Sequence, residues 1–337
     1  MSKKGRESMT VNGTGMPTRP ANQLPLPDGP AAVTPAWLTA VLRHCGVISQ
    51  ATVQTIQCKQ IEEAKQGVTS ESVRFRLTYD RSDERGPTDL FGKFSHADPA
   101  VRAAISGIGA YRREIGFYQD LTTVSDLPAP TCYYSALDPT TGANALLLED
   151  LSHLRMVDFA TGCNPQETEV VIHHLAQLHL GWWDKPRLQT LPWLRSFGQD
   201  AEERQAKFQN WWRLVPQKYA TCLPGHQLPT SFIELGQRFG QHAARIFTQL
   251  AEPPLTCVHA DTHVLNLFFG VQTGDPPLRL IDWQATRLGR AMIDVTYFMV
   301  TSVPTDQRRQ IEQVVVQHYY QLIKTHNLTD YSWQQCW

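Results

Sequence analysis

The feature that most constrains this chain lies between Leu255 and Trp283. Three apolar runs, Leu255 to Val258, Leu267 to Phe269 and Leu278 to Ile281, are each only a few residues long and bounded by Pro, Gly or Asp. Runs of that length read as brief strands rather than helices. The polar residues fall between them. Asp261, Asn266 and Asp282 sit at strand ends or on tight loops, where a rigid scaffold fixes a side chain yet leaves it open to solvent. Carboxylates and an amide so placed make a site pattern, not a core pattern.

Phosphoryl transfer from a magnesium nucleotide needs such a set: one carboxylate for the attacking hydroxyl, an amide oxygen and a second carboxylate for hard cations. Here the chain resembles the kinase-like phosphotransferase superfamily, in the branch of aminoglycoside phosphotransferases, choline kinases and ecdysteroid kinase-like proteins. Their pattern H-G-D-x-x-x-x-N followed by I-D-W stands as His259-Ala260-Asp261 through Asn266, then Ile281-Asp282-Trp283. The run from Gly289 to Met299 resembles the segment in which an Asp, here Asp294, opens a helix beneath the catalytic loop. Trp283-Gln284, the L-G-R run and the H-V-L-N loop make the ecdysteroid kinase-like group the nearest resemblance.

The resemblance implies an α+β, protein-kinase-like fold of two lobes: a small antiparallel β-sheet lobe and a larger, mainly helical one, with nucleotide in the cleft. It implies ATP and Mg2+ as cofactors and transfer of the γ-phosphoryl group to a hydroxyl of a small molecule. Asp261 would be the catalytic base, Asn266 and Asp282 the metal ligands, and His259 and Asp294 supports of the loop. Ala260 stands where the family has Gly. If that Gly needs a positive φ, Ala strains the loop by roughly 1 kcal/mol; the expectation is that only small size is needed. Reading His259, Asp261 and His263 as a metal triad is disfavoured, because the segment is a turn and no H-E-x-x-H glutamate follows. His263 could line the acceptor site or be an ordinary loop residue.

Other classes fall away on composition. With 31 basic and 32 acidic residues among 337, the chain carries no basic footprint for nucleic acid and no polybasic segment for a membrane surface. Its apolar runs are shorter than a bilayer span, and its N-terminus lacks a hydrophobic signal core. Seven cysteines scattered singly, with no C-x-x-C, suggest reduced thiols and a cytoplasmic location. Three domains are expected: a disordered tail over 1–30, a nucleotide-binding lobe over 31–150 and a catalytic and substrate lobe over 151–337.

Thr34-Pro35 predicts a short leading helix stopped near Gly46. Strands are expected over 51–61, 72–79, 89–94, 129–136 and 145–148, from alternation and β-formers. In the resemblance, the turn between the first two covers the phosphates, making Gly67 and Ser70 candidate contacts; by itself a lone Gly is more often a hairpin turn. Lys93, in the apolar strand F-G-K-F, needs a partner or a phosphate. Glu114, on the apolar face of a helix around Ile115 and Tyr118, is its expected steadying carboxylate, while Arg112 and Arg113 read as solvated. The resemblance implies a hinge at Glu149, Asp150 and Leu151, after the fifth strand, with the main chain of Asp150 and Leu151 meeting the adenine.

From Asn164 the period becomes helical. His173, His174 and His179 lie on a helix without matched ligands and read as packing, not metal. Helices are expected over 199–215, ended or kinked by Pro216, then over 231–250, 292–302 and 306–326. Another starts before Trp337, where related proteins continue. Trp182, Trp183, Trp193, Trp211 and Trp212 serve packing first, with a flat-walled acceptor pocket as the sharper alternative. A neutral, partly apolar acceptor fits the indoles, and a polycationic aminoglycoside would want an acidic pocket, whereas Asp184, Asp200, Glu202 and Glu203 are balanced by Lys and Arg; an aminoglycoside or choline-type kinase stays as a second alternative. A nucleotide-binding module without transfer remains the other reading. The absence of D-F-G sets protein kinases aside.

Overall fold

A computed structural model describes residues 24–61, 69–84, 86–122, 127–326 and 331–337. The chain divides into two compact units, residues 1–104 with 131–150, and residues 105–130 with 151–337.

In the first unit, α1 (Pro35–His44) starts at Thr34, whose side chain accepts from Trp37 N–H, and ends short of Gly46 at φ 69°. Five strands follow: β1 (Val53–Gln60), β2 (Ser70–Tyr79), β3 (Asp89–Ser95), β4 (Cys132–Leu137) and β5 (Asn144–Glu149). They form one antiparallel sheet in the order β1-β2-β3-β5-β4. Period-two alternation decides which side faces the core. Along β3, Leu90, Gly92 and Phe94 point inward, and Phe91 and Lys93 lie on the other face. Leu38 and Leu42 of α1 join Val73, Phe75, Leu90 and Phe94 in a single core. Gly92 is required there, because a Cβ would come within 2.7 Å of the Phe75 ring. Gly67 lies outside the described residues.

Helix α2 (Pro99–Gly107) crosses the boundary, and α3 (Ala110–Asp120) belongs to the second unit. Aromatic packing groups α3 with the later segments. Phe117 stacks on Trp283 at 3.6 Å between ring centroids, and Trp193 lies so close to α3 that a Cβ on Gly116 would meet its ring at 2.5 Å. Arg113, expected in solvent, is 8% exposed and donates through Nε to the Gln284 carbonyl at 2.6 Å.

The rest of the second unit is mainly helical. After β6 (Arg155–Met156), α4 (Pro165–Trp182) begins with a reciprocal capping box between Asn164 and Glu167. It buries Val171, Leu175, Leu178 and His179, while His173 is exposed. Then come α5 (Pro186–Thr190), α6 (Ala201–Trp212), α7 (Val215–Cys222) and α8 (Thr230–Gln249). Pro216 sits in the first turn of α7 rather than ending α6, as its fixed φ and missing N–H allow. Trp182 and Trp193 are buried, whereas Trp211 is 53% exposed. The short strands β7 (Thr256–Val258), β8 (Leu267–Phe269), β9 (Leu278–Leu280) and β10 (Arg287–Gly289) make two small sheets, β10-β7 and β6-β8-β9. Helices α9 (Met292–Ser302), α10 (Thr305–Lys324) and α11 (Trp333–Cys336) complete the unit. Among the described residues no helix is long and apolar enough to cross a membrane.

Candidate active site

The short strands hold one loop system in place. β7 delivers the chain to His259, a turn runs through Asp261 to a 3-10 turn at Val264–Asn266, and the β8–β9 hairpin returns it to Asp282. β10 then pairs back on β7, with Arg287 opposite Val258. Ile281 N–H donates to the Asn266 carbonyl at 3.1 Å, which sets the residue before Asp282 against Asn266. Asn266 Nδ2 donates to the Asp261 carbonyl at 2.9 Å and lies 3.4 Å from its Oδ2. Asp261, Asn266 and Asp282 are thus gathered by backbone geometry within one compact unit.

Beneath the loop lies a buried polar cluster. Asp294, wholly buried in the first turn of α9, accepts from His259 N–H at 2.8 Å through Oδ2 and from Ala260 N–H at 2.7 Å through Oδ1. His179 Nε2 is 3.1 Å from Asp294 Oδ2, and its Nδ1 is 2.7 Å from the Tyr319 hydroxyl. The His259 ring accepts from Asp261 N–H at Nδ1, so its proton sits on Nε2, which donates to the Ile281 carbonyl at 2.8 Å. Val264 N–H donates to Ser302 Oγ at 2.9 Å. Every partner but one comes from a distant element, so the loop cannot shift without breaking buried hydrogen bonds.

Ala260 adopts φ 63°, a left-handed conformation, which overturns the expectation that only its size matters. The N–H bonds from His259 and from Ala260 itself to Asp294 hold the backbone there. Asp282 is also left-handed, at φ 66°. Two such residues in one loop system are stored strain of the kind that gathers at working sites. Ala260→Gly is expected to raise stability by about 1 kcal/mol, relief of the left-handed strain exceeding the entropy that glycine adds to the unfolded chain. Urea unfolding of the two proteins checks this; a variant no more stable than the parent would mean the loop carries no strain at that position.

Around Asp261 the side chains are aromatic. His263 Nε2 lies 3.5 Å from its Oδ1, the Tyr297 phenol hydrogen-bonds the carboxylate, and the two rings are 6.5 Å apart. Burial pushes the Asp261 carboxyl up, but the His263 hydrogen bond and charge, the His259 imidazole and the Tyr297 bond outweigh it, and the net shift is downward. Asp261 is therefore held as a carboxylate. Tyr297 was not singled out in the sequence. Its signal was its place three residues after Asp294, on the same face of α9.

The remaining candidates are spread over both units. Lys93 is half-buried on β3 between Ser72 and Leu146, and Ser70 opens β2 with a buried Oγ that has no hydrogen-bond partner among the described residues. Asp150, at the end of β5, accepts from Arg74 Nε at 2.5 Å, and the Leu151 carbonyl accepts from Leu154 N–H at 2.9 Å. Glu114 is buried on α3, in the second unit. His173, His174 and His179 gather no metal set; among the described residues no three His, Cys, Asp or Glu are placed to hold a metal.

The sequence matches the ecdysteroid kinase-like family over residues 65–331. Curated proteins gave no match. Among solved structures, the chain is similar to an aminoglycoside 2'-phosphotransferase-IIIa variant in complex with GDP (10% identity, 86% of each chain, TM-score 0.51). It is similar also to the choline kinase of Cryptosporidium parvum Iowa II (12% identity, 80% of this chain and 74% of that one, TM-score 0.50). An aminoglycoside phosphotransferase of Streptomyces rimosus aligns at 17% identity over 86% and 90% of the chains, with a TM-score of 0.44. At these identities the first two likenesses speak to fold, and they agree with the two-lobed α+β architecture. With the family match spanning most of its length, this chain belongs to the ecdysteroid kinase-like family of kinase-like phosphotransferases.

Proposed function

We propose that the protein transfers the γ-phosphoryl group of ATP to a hydroxyl of a neutral, partly apolar small molecule, with magnesium. The observation that carries this reading is the convergence of Asp261, Asn266 and Asp282 through the Asn266 Nδ2 to Asp261 and Ile281 N–H to Asn266 bonds. When bound, magnesium would neutralise phosphate charge and align the nucleotide.

The donor set fits such an ion. A magnesium site completed by substrate phosphates asks for only one or two carboxylates and oxygen donors from the protein. Among the described residues the hydrogen bonds of the Asn266 side chain use Nδ2, which leaves Oδ1 on the other side of the amide for a cation. Asp282 is oriented by Gln284 Nε2 at 2.9 Å. Asp261, ionised, would accept a hydrogen bond from the acceptor hydroxyl, orient its lone pair and take its proton as the new O–P bond forms and the bond from the γ-phosphorus to the β–γ bridging oxygen breaks, releasing ADP. A low carboxyl pKa suits that role, because in a loose transition state the proton leaves late. In this reading Lys93 and Ser70 would donate to phosphate oxygens, and the main chain at Asp150 would meet the adenine. The aromatic surroundings of Asp261 support a neutral acceptor, since a polycation would call for further carboxylates.

The test is magnesium-dependent ATP binding by calorimetry, with Asp282→Asn as control because Asn tolerates the left-handed backbone. Wild type should bind ATP only with magnesium, and the variant should lose at least about tenfold in that dependence, since a charge-assisted ligand is gone. Equal magnesium dependence in both proteins, or none in wild type, would remove the reading.

A further inference from the structure

Away from that loop, the second unit gathers four arginines around one carboxylate. The segment from Arg195 to Phe197 runs parallel to β10: Leu288 N–H donates to the Arg195 carbonyl at 3.1 Å, and Phe197 N–H to the Leu288 carbonyl at 3.3 Å. Arg195 and Arg287 are thereby brought together. Asp200 is the N-cap residue of α6, yet its side chain makes no capping bond. It faces the arginines instead, with Oδ1 at 3.1 Å from Arg195 Nη2 and Oδ2 at 3.7 Å from Arg287 Nη1. Arg204, one turn into α6, lays its guanidinium over the rings of Phe197 and Phe247 at 5.0 and 4.8 Å. Arg113 reaches in from α3, its Nη1 donating to the Ile108 carbonyl at 2.9 Å.

The charges do not balance. Glu203 also feels Arg195, but it is paired with Lys207 at 2.5 Å, so among the described residues Asp200 is the carboxylate that answers the four cations. Burial, then the charges of Arg204 and Arg195, depress Arg113 to about 10. Burial, then Arg204, Arg113 and Arg195, depress Arg287 to about 10 as well. At neutral pH all four remain charged and repel one another. Arg287 Nη1 is moreover buried without a hydrogen bond among the described residues. Native folds seldom leave such a donor unmet unless it serves something.

We propose that Arg287, Arg195 and Arg204, backed by Arg113, form a site for a small oxoanion: a phosphate ion or the phosphate group of a metabolite. Guanidinium forks match such oxygens pairwise. Arg195, with its side chain 56% exposed, gives the anion its approach, and Arg287, 11% exposed, supplies donors already stripped of water. Phe197 and Phe247 hold Arg204 in position, so little rotamer freedom is lost on binding. The site shares no residue with those assigned to transfer. Arg113 links the two: it holds the Gln284 carbonyl, and the Gln284 amide bonds Asp282.

The test is calorimetric titration of nucleotide-free protein with inorganic phosphate, in wild type, Arg195→Gln, Arg287→Gln and Asp282→Asn. Wild type should bind phosphate at millimolar concentration or tighter. Each arginine variant should weaken binding about tenfold or more, and Asp282→Asn should leave it within about twofold. Because Arg195 is largely exposed, its variant should fold even if Arg287→Gln does not. Unchanged affinity in Arg195→Gln, no binding in wild type, or loss in Asp282→Asn alone would each overturn the proposal. The last result would place the phosphate at the nucleotide site instead.

Discussion

Asp261→Asn is expected to lower kcat on the order of 100- to 10,000-fold, the range for removing a positioned general base, with little change in KM for ATP or in stability. The substitution keeps the size of the side chain and removes its charge and its capacity to take a proton. The loop should survive it. Asn266 still has the Asp261 carbonyl as acceptor, and His259 and Ala260 N–H still have Asp294. The Tyr297 phenol can donate to an amide oxygen as it does to the carboxylate. Steady-state kinetics with a hydroxylated acceptor, beside a thermal melt, separates the two effects. A kcat within about threefold of wild type would take Asp261 out of the chemistry, since so small a change is under 1 kcal/mol of barrier. A collapse of kcat accompanied by a large fall in Tm would assign it a structural duty instead.

The site loop was legible because its polar residues are punctuated by apolar runs too short to be anything but strands, and β7, β8 and β9 lie where those runs fall. The five-stranded sheet was legible for a similar reason, since alternation at Leu90, Gly92 and Phe94 reports a half-buried face directly. What was hidden depends on contacts between residues far apart in sequence. Helix α3 reads as an amphipathic helix in either unit, and only the Phe117–Trp283 stack and the Trp193 ring over Gly116 decide which one holds it. Arg113 reads as a surface residue in the sequence because a charged side chain gives no local sign that it will be desolvated; in the fold it is buried on the carbonyls of Gln284 and Ile108. The left-handed backbone at Ala260 was invisible for a different reason. A φ angle leaves no trace in side-chain pattern unless the residue is Gly or Asn, and alanine is silent on the matter. The gathering of arginines around Asp200 combines both difficulties, because its members come from α3, α6, β10 and the segment before α6.

The largest stability effect should come from Asp294→Ala, which is expected to cost about 4 kcal/mol, much of the 5–15 kcal/mol that holds a typical domain together. The carboxylate is wholly buried and meets three donors: the N–H groups of His259 and Ala260 and the imidazole of His179. Alanine would leave all three unpaired inside the unit, where each orphan keeps its desolvation penalty. Asp294→Asn should cost about half as much, because one amide oxygen can serve one N–H well while its NH2 faces another donor. The pH dependence separates charge from shape. Burial pushes the Asp294 carboxyl up, but the His179 hydrogen bond and charge, the His259 imidazole and the Ala260 N–H outweigh it, leaving it below its ordinary 3.8. A depressed carboxyl contributes stability that is complete above its unfolded value and lost as pH falls through its folded one. Wild type should therefore lose stability below about pH 4, and the Asn variant should lose less over the same interval. Glu84, held at about 2 by the N–H groups of Ala51, Ser49 and Gln50, adds to the acid limb in both proteins and cancels in the comparison. Chemical unfolding at a series of pH values measures the difference. Parallel acid limbs for the two proteins would show that Asp294 acts by its shape and hydrogen bonds alone, and that its ionised state contributes nothing to holding the loop.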